Sequence, residues 1–436
     1  MISNNPVVSK VIKDYNSTQN AFLPRTVTIP LSEEIGVNYK AIVSPGDRIK
    51  EGAVIAISTN LETPSYIHSS IPGTVEDIVP CYCPNTKQGY GVKIKLGGAF
   101  SYLGKNIEEE NIDNITTSFI EKEINNNGIV NTFYANSPEN FGFQIKNCKK
   151  GMCLVIRMFD EDPYRITDSL IAKFYSQEII KGAAIIAKVI NAAGVVFAVD
   201  QKLKHKGFFD NESIQNFRVL EMNIKRYPSG TPREIVSAFR RTGLKKSSNF
   251  EIKKTDLFID AATAYEVYRA VCLKTPEISK PVHFSGNCLQ ASCLLDVRIG
   301  TPIKDIISQI GGVSKNPELV IINGDLCGSS VQNLDVPITK YVKSVKLVSN
   351  RKITDTQIYN CVNCGNCRVI CPVHISPDIL YNTTVNFQSV PESFAKSSLA
   401  CISCGLCNTV CLARLPLCQT ISVLKENVSH ILEDNK

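Results

Sequence analysis

The residues with the clearest chemistry are cysteines. Cys361, Cys364, Cys367 and Cys371 read C-x2-C-x2-C-x3-C and are followed by Pro372, and Cys401, Cys404, Cys407 and Cys411 repeat the spacing. Three thiolates at intervals of three, on a loop turned by Gly365 or Gly405, can wrap one corner of an iron–sulfur cubane, and the fourth Cys starts a helix that leads away. A pair of zinc sites is the competing reading. Structural zinc usually pairs two-Cys knuckles and does not need a third Cys at x2 with a fourth at x3, so two 4Fe-4S clusters are expected.

Where two such runs occur together, as in two-cluster ferredoxins, the fourth Cys of each run ligates the other cluster. Cluster one is then expected to use Cys361, Cys364, Cys367 and Cys411, and cluster two Cys401, Cys404, Cys407 and Cys371. Leu412 stands where the first run has Pro372; the proline shapes the chain and supplies no metal bond, so its loss should not cost the cluster. Of the nine other cysteines, Cys81, Cys83, Cys148, Cys153, Cys288, Cys293 and Cys418 lack ligand spacing and are expected to pack as small hydrophobes. The Cys81/Cys83 pair has the C-x-C form of a metal site, but nothing around it supplies the remaining ligands. Clusters move electrons and perform no bond chemistry by themselves, so no catalytic residue is assigned, and an electron source must be sought in the rest of the chain.

At 436 residues the chain calls for three or four domains. Residues 1–112 read as β-rich. "IVSPGDRIKEGAVIAIS" followed by "IHSSIPGTVEDIV" places Gly46, Gly52 and Gly73 at turns, in the manner of the barrel-sandwich hairpins of lipoyl and biotinyl domains. The matching tip, "STNLETPSYIHS", has no lysine to modify, so no covalent prosthetic group is expected there. In residues 113–275, strand-like runs ("CLVIRMF", "AGVVFAVD", "DLFIDAA") alternate with the helical period of "TDSLIAKFYSQEIIKGAAIIAKVINA", which is the pattern of a Rossmann-like parallel α/β domain. Residues 276–350, with "VRIGTPIKDIISQIGG" and "ELVIINGD", suggest a small α+β module, and residues 351–436 carry the cysteine runs on short helices. "EINNNGIV" and "KHKGFFDNES" are expected to be surface loops. The fold class is thus multidomain, α/β and α+β.

Hydrophobic content of 43% and charged content of 20% describe a globular chain. A net charge of +7 with scattered Lys and Arg gives no nucleic-acid signature, although a basic surface suits acidic protein partners or anionic lipid. No apolar run approaches the roughly 18 residues needed to cross a bilayer, and "MISNNPVVSK" lacks a signal-peptide apolar core. Tightly spaced cysteines in such a chain point to metal in a reducing compartment. A cytosolic protein, or one docked on a membrane from the cytosolic side, is expected.

In their order, "GDRIKEG" with "IPGTV", "DEDPYRITDS" and "YPSG", "VRIGTPIKDIISQIGG" with "INGD", and the double cysteine run resemble the C subunit of Rnf electron transport complexes over nearly the whole chain. The resemblance implies a middle domain similar to the NADH- and FMN-binding subunit of respiratory complex I and a third module like its soluble-ligand-binding β-grasp. It implies a peripheral subunit, on the cytoplasmic face of the cell membrane, of a complex that couples electron flow between ferredoxin and NAD(H) to ion movement through membrane subunits. In this frame Asp160, Asp162 and Tyr164 correspond to acidic and aromatic positions facing flavin and nicotinamide, and Asp260 and Thr263 to positions near the flavin.

One stretch departs from the resemblance. The family's glycine-rich loop lets backbone approach flavin and nucleotide phosphates and donate N–H groups to them. The aligned "GIVNTFYANSP" keeps Gly128, Val130, Ala135 and Pro138, but has Asn131, Phe133 and Tyr134 at the three inner glycines and Ser137 at the family's Phe. Side chains of that bulk occupy the room of a phosphate, and Asp260 adds a negative charge where the family has an amide. Three readings follow: an Rnf subunit that exchanges electrons with NAD(H) through FMN; a relay and docking subunit that has lost both and meets a soluble carrier such as ferredoxin or flavodoxin; and, ranked last, a cobalamin reductase-like flavin and iron–sulfur protein.

Overall fold

The computed structural model describes residues 12–434 except 13, 35, 85–87, 203–213, 215, 226, 245–248, 350–356 and 386–391. The expected loop "KHKGFFDNES" and the boundary at 350/351 lie outside the described residues.

Near the N-terminus, strands Thr26–Pro30, Gln88–Leu96, Gly73–Tyr82 and Arg48–Ile49 form an antiparallel sheet in that spatial order, beside a three-stranded sheet of Tyr39–Ala41, Val54–Ser58 and Tyr66–His68. Alternate residues point inward, as half-buried strands require. Val27, Ile29, Val92 and Ile94 from the first sheet meet Ile55, Ala56 and Ile67 from the second in one core. Gly46 and Gly52 do turn the chain, with φ of +95° and +76°. Gly73 does not: it opens the long strand, where a Cβ would stand 2.0 Å from the Lys95 carbonyl oxygen. Glycine there serves close strand pairing.

The α/β domain is built on a parallel sheet with strand order Phe217–Met222, Val195–Asp200, Leu154–Arg157, Leu257–Asp260. Its central strands are buried on both faces, the condition that makes parallel strands read as unbroken apolar runs. Ile156, Phe197 and Ile259 pack under helices Ser176–Val189 and Ala261–Cys272, while Val155, Val196 and Phe258 pack toward helix Pro232–Arg241. The long periodic stretch forms two helices, Thr167–Phe174 and Ser176–Val189, broken at Tyr175. "EINNNGIV" is not a surface loop. Helix Thr117–Asn126 runs through half of it, and Asn127, Gly128, Ile129 and Val130 are buried, with the Asn127 amide donating to the Glu123 and Ala270 carbonyls.

The third module is a six-stranded mixed sheet. Strands Cys293–Arg298, Ser279–Ser285, Ser344–Val348, Leu319–Ile322 and Ser329–Val331 are joined at one edge by Gln19–Asn20, which pairs in parallel with Cys293–Arg298. Chain position alone groups those first residues with the barrel. Their two-residue strand carries no apolar pattern to reveal its true neighbour.

The cysteine runs are loops around short helices: Asn366–Ile370 and Leu406–Thr409 each carry a third cysteine, Cys371 and Cys411 follow these helices and do not start new ones as expected, and helices Pro377–Val385, Glu392–Ser397 and Leu417–Asp434 pack beside them. Left-handed backbone at Asn363, Gly365 and His374 recurs at Ser403, Gly405 and Arg414. The two halves therefore repeat in conformation as well as in cysteine spacing. Among the described residues, no helix is long and apolar enough to cross a membrane.

Candidate functional site

In each half a left-handed residue between the first two cysteines and a left-handed glycine after the second fold the loop back on itself, so that helical turns begin just before the third cysteine. Backbone amides are turned toward sulfur: the Ser403 N–H points to Cys401 Sγ at 3.4 Å and the Leu415 N–H to Cys411 Sγ at 3.4 Å. Hydrogen bonds to cluster sulfurs are among the terms that set a cluster's potential. Packing brings the halves together. Cys361, Cys367 and Cys411 share an apolar patch with Ala413, Leu415 and Leu417, and Cys371 packs with Cys401 among Ile375, Leu380 and Ile421. The fourth cysteine of each run thus lies with cysteines of the other run. Cys407 lies against the first patch. Burial pushes the Cys404 thiol up to about 12, with Cys418, Cys401 and Cys371 adding to the shift.

Among the described residues, no three His, Cys, Asp or Glu side chains approach closely enough to hold a single metal ion. A cubane keeps its four thiolates apart at separate corners, so the donor set of soft thiols, turned loops and inward amides fits 4Fe-4S clusters. The two loops differ in exposure. Cys364 is exposed, with Val362 and Val369 beside it at 63% and 86% exposure, whereas Cys404 is partly covered.

Cys418 lies at the start of helix Leu417–Asp434, is buried, and its amide donates to Asn408 Oδ1 at 2.9 Å. Its position seven residues after Cys411 matches no ligand spacing. Cys81 and Cys83 are buried, as expected of packing residues.

The candidate flavin and nucleotide residues come together at the C-terminal end of the parallel sheet. The Asp160 carboxylate accepts from the Asp168 and Ser169 amides at 3.0 Å, from the Ser169 hydroxyl at 2.8 Å and from Arg165 Nε at 3.1 Å. Asp162 accepts from the amides of Tyr164, Leu326 and Cys327 at 2.7–2.9 Å. Asp260 caps helix Ala261–Cys272 through the Thr263 amide and hydroxyl, and also accepts from Thr132 Oγ1 and Lys343 Nζ. Burial alone would push Asp260 up, but Lys343 and these donors hold it well below the usual carboxylate range. Lys343 also donates to both oxygens of Asp168 at 2.8 and 2.7 Å, and burial raises Asp168 to about 6 despite that cation. Thr263 Oγ1 accepts from the Thr132 amide. Asp160, Asp162, Asp260 and Thr263 are all buried, and their acceptors are spent on protein donors. Of the five candidates Tyr164 alone is exposed, under Lys346 at 5.3 Å.

The loop that departs from glycine explains the closure. Phe133 is 2% exposed and packs on Phe258, with the Arg157 guanidinium 4.1 Å above its ring. Arg157 is fully buried and donates to the carbonyls of Phe133 at 2.6 Å and Gly230 at 2.9 Å. Asn131 donates to the Phe258 carbonyl at 2.9 Å. A phosphate cradle needs free backbone N–H groups and open space beside them. Here the Phe133 amide is taken by Asn131 Oδ1 and the Thr132 amide by Thr263. The residues present do not fit FMN or NAD(H). Arg157, Lys343 and Cys327 escape sequence reasoning, because each acts through partners distant in the chain.

This closed site abuts the second cysteine loop. Tyr227 bridges Cys327 Sγ and the Cys404 carbonyl, a Cβ on Gly405 would meet the Leu326 carbonyl at 2.3 Å, and Arg233 donates to the Pro372 carbonyl at 2.6 Å.

Residues 5–98 match the family described as the RnfC barrel sandwich hybrid domain. The chain is 26% identical to the C subunit of the proton-translocating ferredoxin:NAD(+) oxidoreductase complex of Clostridium ljungdahlii, over 82% of this chain and 78% of that protein. It is 24% identical to the C subunit of the ion-translocating oxidoreductase complex of Rhodobacter capsulatus (81% and 69% covered). It is 23% identical to the C subunit of the Na(+)-translocating ferredoxin:NAD(+) oxidoreductase complex of Acetobacterium woodii (81% and 80%). Among solved structures, an NAD+-reducing [NiFe]-hydrogenase in the H2-reduced state overlaps 74% of this chain and 65% of that chain, at 9% identity and a TM-score of 0.44, too loosely to argue from. The chain is a relative of the C subunits of Rnf-type ion-translocating oxidoreductase complexes and carries their barrel-sandwich domain at residues 5–98.

Proposed function

We propose that this protein is a peripheral iron–sulfur relay subunit of an Rnf-type complex, one that passes electrons between a soluble carrier and membrane subunits without a hydride-transfer site of its own. The observation that carries the reading is the packing of Phe133 against Arg157 and Phe258, in the space where the family's loop would cradle phosphate.

Cys361, Cys364, Cys367 and Cys411 would hold the first cluster and Cys401, Cys404, Cys407 and Cys371 the second; bound there, the clusters supply one-electron transfer. The chain's own residues supply the rest. Thiolates hold iron, the Ser403 and Leu415 amides offset charge on sulfur, and Leu380 and Ile421 keep water from Cys371 and Cys401. Tyr227 fixes the second loop against the body of the protein. The exposed side of the first loop, around Cys364, Val362 and Val369, is the accessible face for a small soluble carrier such as ferredoxin or flavodoxin. Docking at the cytoplasmic face of the membrane follows from the same assignment.

Absorbance titration of the anaerobically purified chain tests the reading. Dithionite should bleach the broad cluster band, added FMN should stay in the filtrate, and NADH should leave the band unchanged. Tight flavin retention with NADH-dependent bleaching overturns the relay and restores the flavin-linked reading.

A further inference from the structure

We infer that the exposed side of the first cysteine loop and the solvent face of helix Pro232–Arg241 form one docking surface, apolar at its centre and basic at its rim, for a small acidic electron-carrier protein; this deepens the relay reading and rests on it.

The chain's positive charge is not spread evenly. Residues 225–256 hold nine Lys and Arg against three Asp and Glu, which is six of the seven net charges of the whole chain. Helix Pro232–Arg241 lies within that stretch. Its Ile235, Val236 and Phe239 are buried, while Arg233, Arg240 and Arg241, spaced i, i+7 and i+8, stand exposed on the other side. Arg240 pairs with Glu251 at 3.2 Å, which brings the exposed Lys253 and Lys254 toward the end of the helix. The acids of the stretch are drawn inward: Glu234, Glu251 and Asp256 are half-buried, and Asp256 accepts from the Lys253 amide at 2.6 Å.

The first turn of this helix meets the cluster-bearing segment, where Arg233 donates to the Pro372 carbonyl at 2.6 Å. Val369 stands three residues before Pro372 and, with Val362, is exposed beside Cys364. Leu412, 71% exposed, joins them from the second run, held there by the Tyr359 amide bonded to the Ala413 carbonyl at 3.0 Å. Neither run offsets the basic rim. In residues 357–385 and 401–425 one acid occurs, Asp378, which is 2% exposed and takes two bonds from the exposed Arg368, at 2.7 and 2.6 Å.

An apolar centre inside a polar rim is the anatomy of a protein interface. Charge of one sign steers an opposite partner into place and turns away like charge, and the apolar centre sheds water on contact. An anionic bilayer would meet the same charge, but it holds no redox group to face a cluster behind Cys364. In the docked pair one electron leaves the carrier's own reduced iron–sulfur or flavin group and enters that cluster; the carrier is oxidised, the cluster is reduced, and no bond forms or breaks.

Stopped-flow absorbance of the anaerobic full-length chain tests this, with a pre-reduced acidic two-cluster ferredoxin, freed of reductant, as the probe. The second-order rate of cluster bleaching in wild type should fall about tenfold between about 50 and about 500 mM NaCl, as salt screens the rim. R240E/R241E/K253E/K254E should lose about tenfold at the lower salt and approach wild type at the higher, and V369D should be slowed at both. Iron content and bleaching by dithionite should be equal in all three proteins, which shows that the variants fold and load their clusters. If the quadruple variant keeps the wild-type ferredoxin rate, the docking surface is wrong; if it also ceases to pellet with phosphatidylserine vesicles, the face is a membrane contact. A V369D rate equal to that of wild type refutes the apolar centre. If wild type holds no clusters, or holds them and takes no electrons from ferredoxin, the relay reading fails first.

Discussion

The Tyr227 hydroxyl lies 2.8 Å from the carbonyl oxygen of Cys404 and donates to it, while standing 2.8 Å from Cys327 Sγ. One phenol therefore joins the α/β domain, the six-stranded module and the cluster-bearing segment. Burial first, and then Cys327, push its ionisation far above the ordinary tyrosine range, so it remains a neutral donor. Tyr227→Phe removes the donor and leaves the Cys404 carbonyl unpaired, a loss of about 1–3 kcal/mol. Hydrogen exchange should speed up around residues 401–411 before it does in the parallel sheet. Unchanged protection there would show that other contacts hold the loop.

The two left-handed glycines should respond differently. At Gly365 a Cβ meets nothing within 4 Å, so Gly365→Ala costs only left-handed strain, about 1–2 kcal/mol. At Gly405 the same change adds a clash with the Leu326 carbonyl. Gly405→Ala should displace the second loop from the body and expose it to limited proteolysis, while Gly365→Ala leaves the digestion pattern as in wild type.

Lys343 is a buried cation whose removal strands two carboxylates, Asp168 and Asp260. Breaking a buried pair by deleting one partner costs about 3–5 kcal/mol. Lys343→Met should lower the denaturant midpoint accordingly. A Lys343→Met/Asp168→Asn/Asp260→Asn chain should recover part of that loss, which chemical denaturation of both variants beside wild type would measure.

Glu33 gives a pH signature. It is buried beside Lys340, whose amide donates to it at 3.2 Å, and burial raises its carboxyl to about 7 despite that cation. A carboxyl raised above its unfolded value binds protons more readily in the folded chain. Its contribution is complete below the ordinary glutamate range and is lost as pH rises through about 7. Thermal midpoints of wild type should therefore fall from about pH 5 to about pH 8 relative to those of Glu33→Gln, in which this component is absent. Parallel profiles for the two proteins would assign the slope elsewhere.

Much of this architecture is legible in the primary structure, for reasons that can be named. Cysteine spacing and the glycines after Cys364 and Cys404 specify the loops locally, because left-handed backbone selects glycine. The parallel sheet shows itself in runs such as "AGVVFAVD", since burial on both faces leaves no polar alternation. The departure of the loop at residues 128–138 from the glycine-rich pattern is visible too, at Phe133. What packs around it is not: Arg157 reaches Gly230, and Lys343 reaches Asp168 and Asp260, across long chain separations that no local pattern encodes. The burial of "EINNNGIV" runs against its polar composition because Asn127 finds its partners in helices Thr117–Asn126 and Ala261–Cys272.

The meeting of Cys411 with Cys361 and Cys367, and of Cys371 with Cys401, bears on how the protein is made. On the proposed ligation, each half of the repeat keeps a sulfur that the other half requires. A ribosome that has released the first run has released only three of the four ligands for the first cluster and one for the second. Loading must wait until the chain has emerged past Cys411, and from then on both clusters can be completed, so on that ligation residues 361–411 mature as a single assembly event.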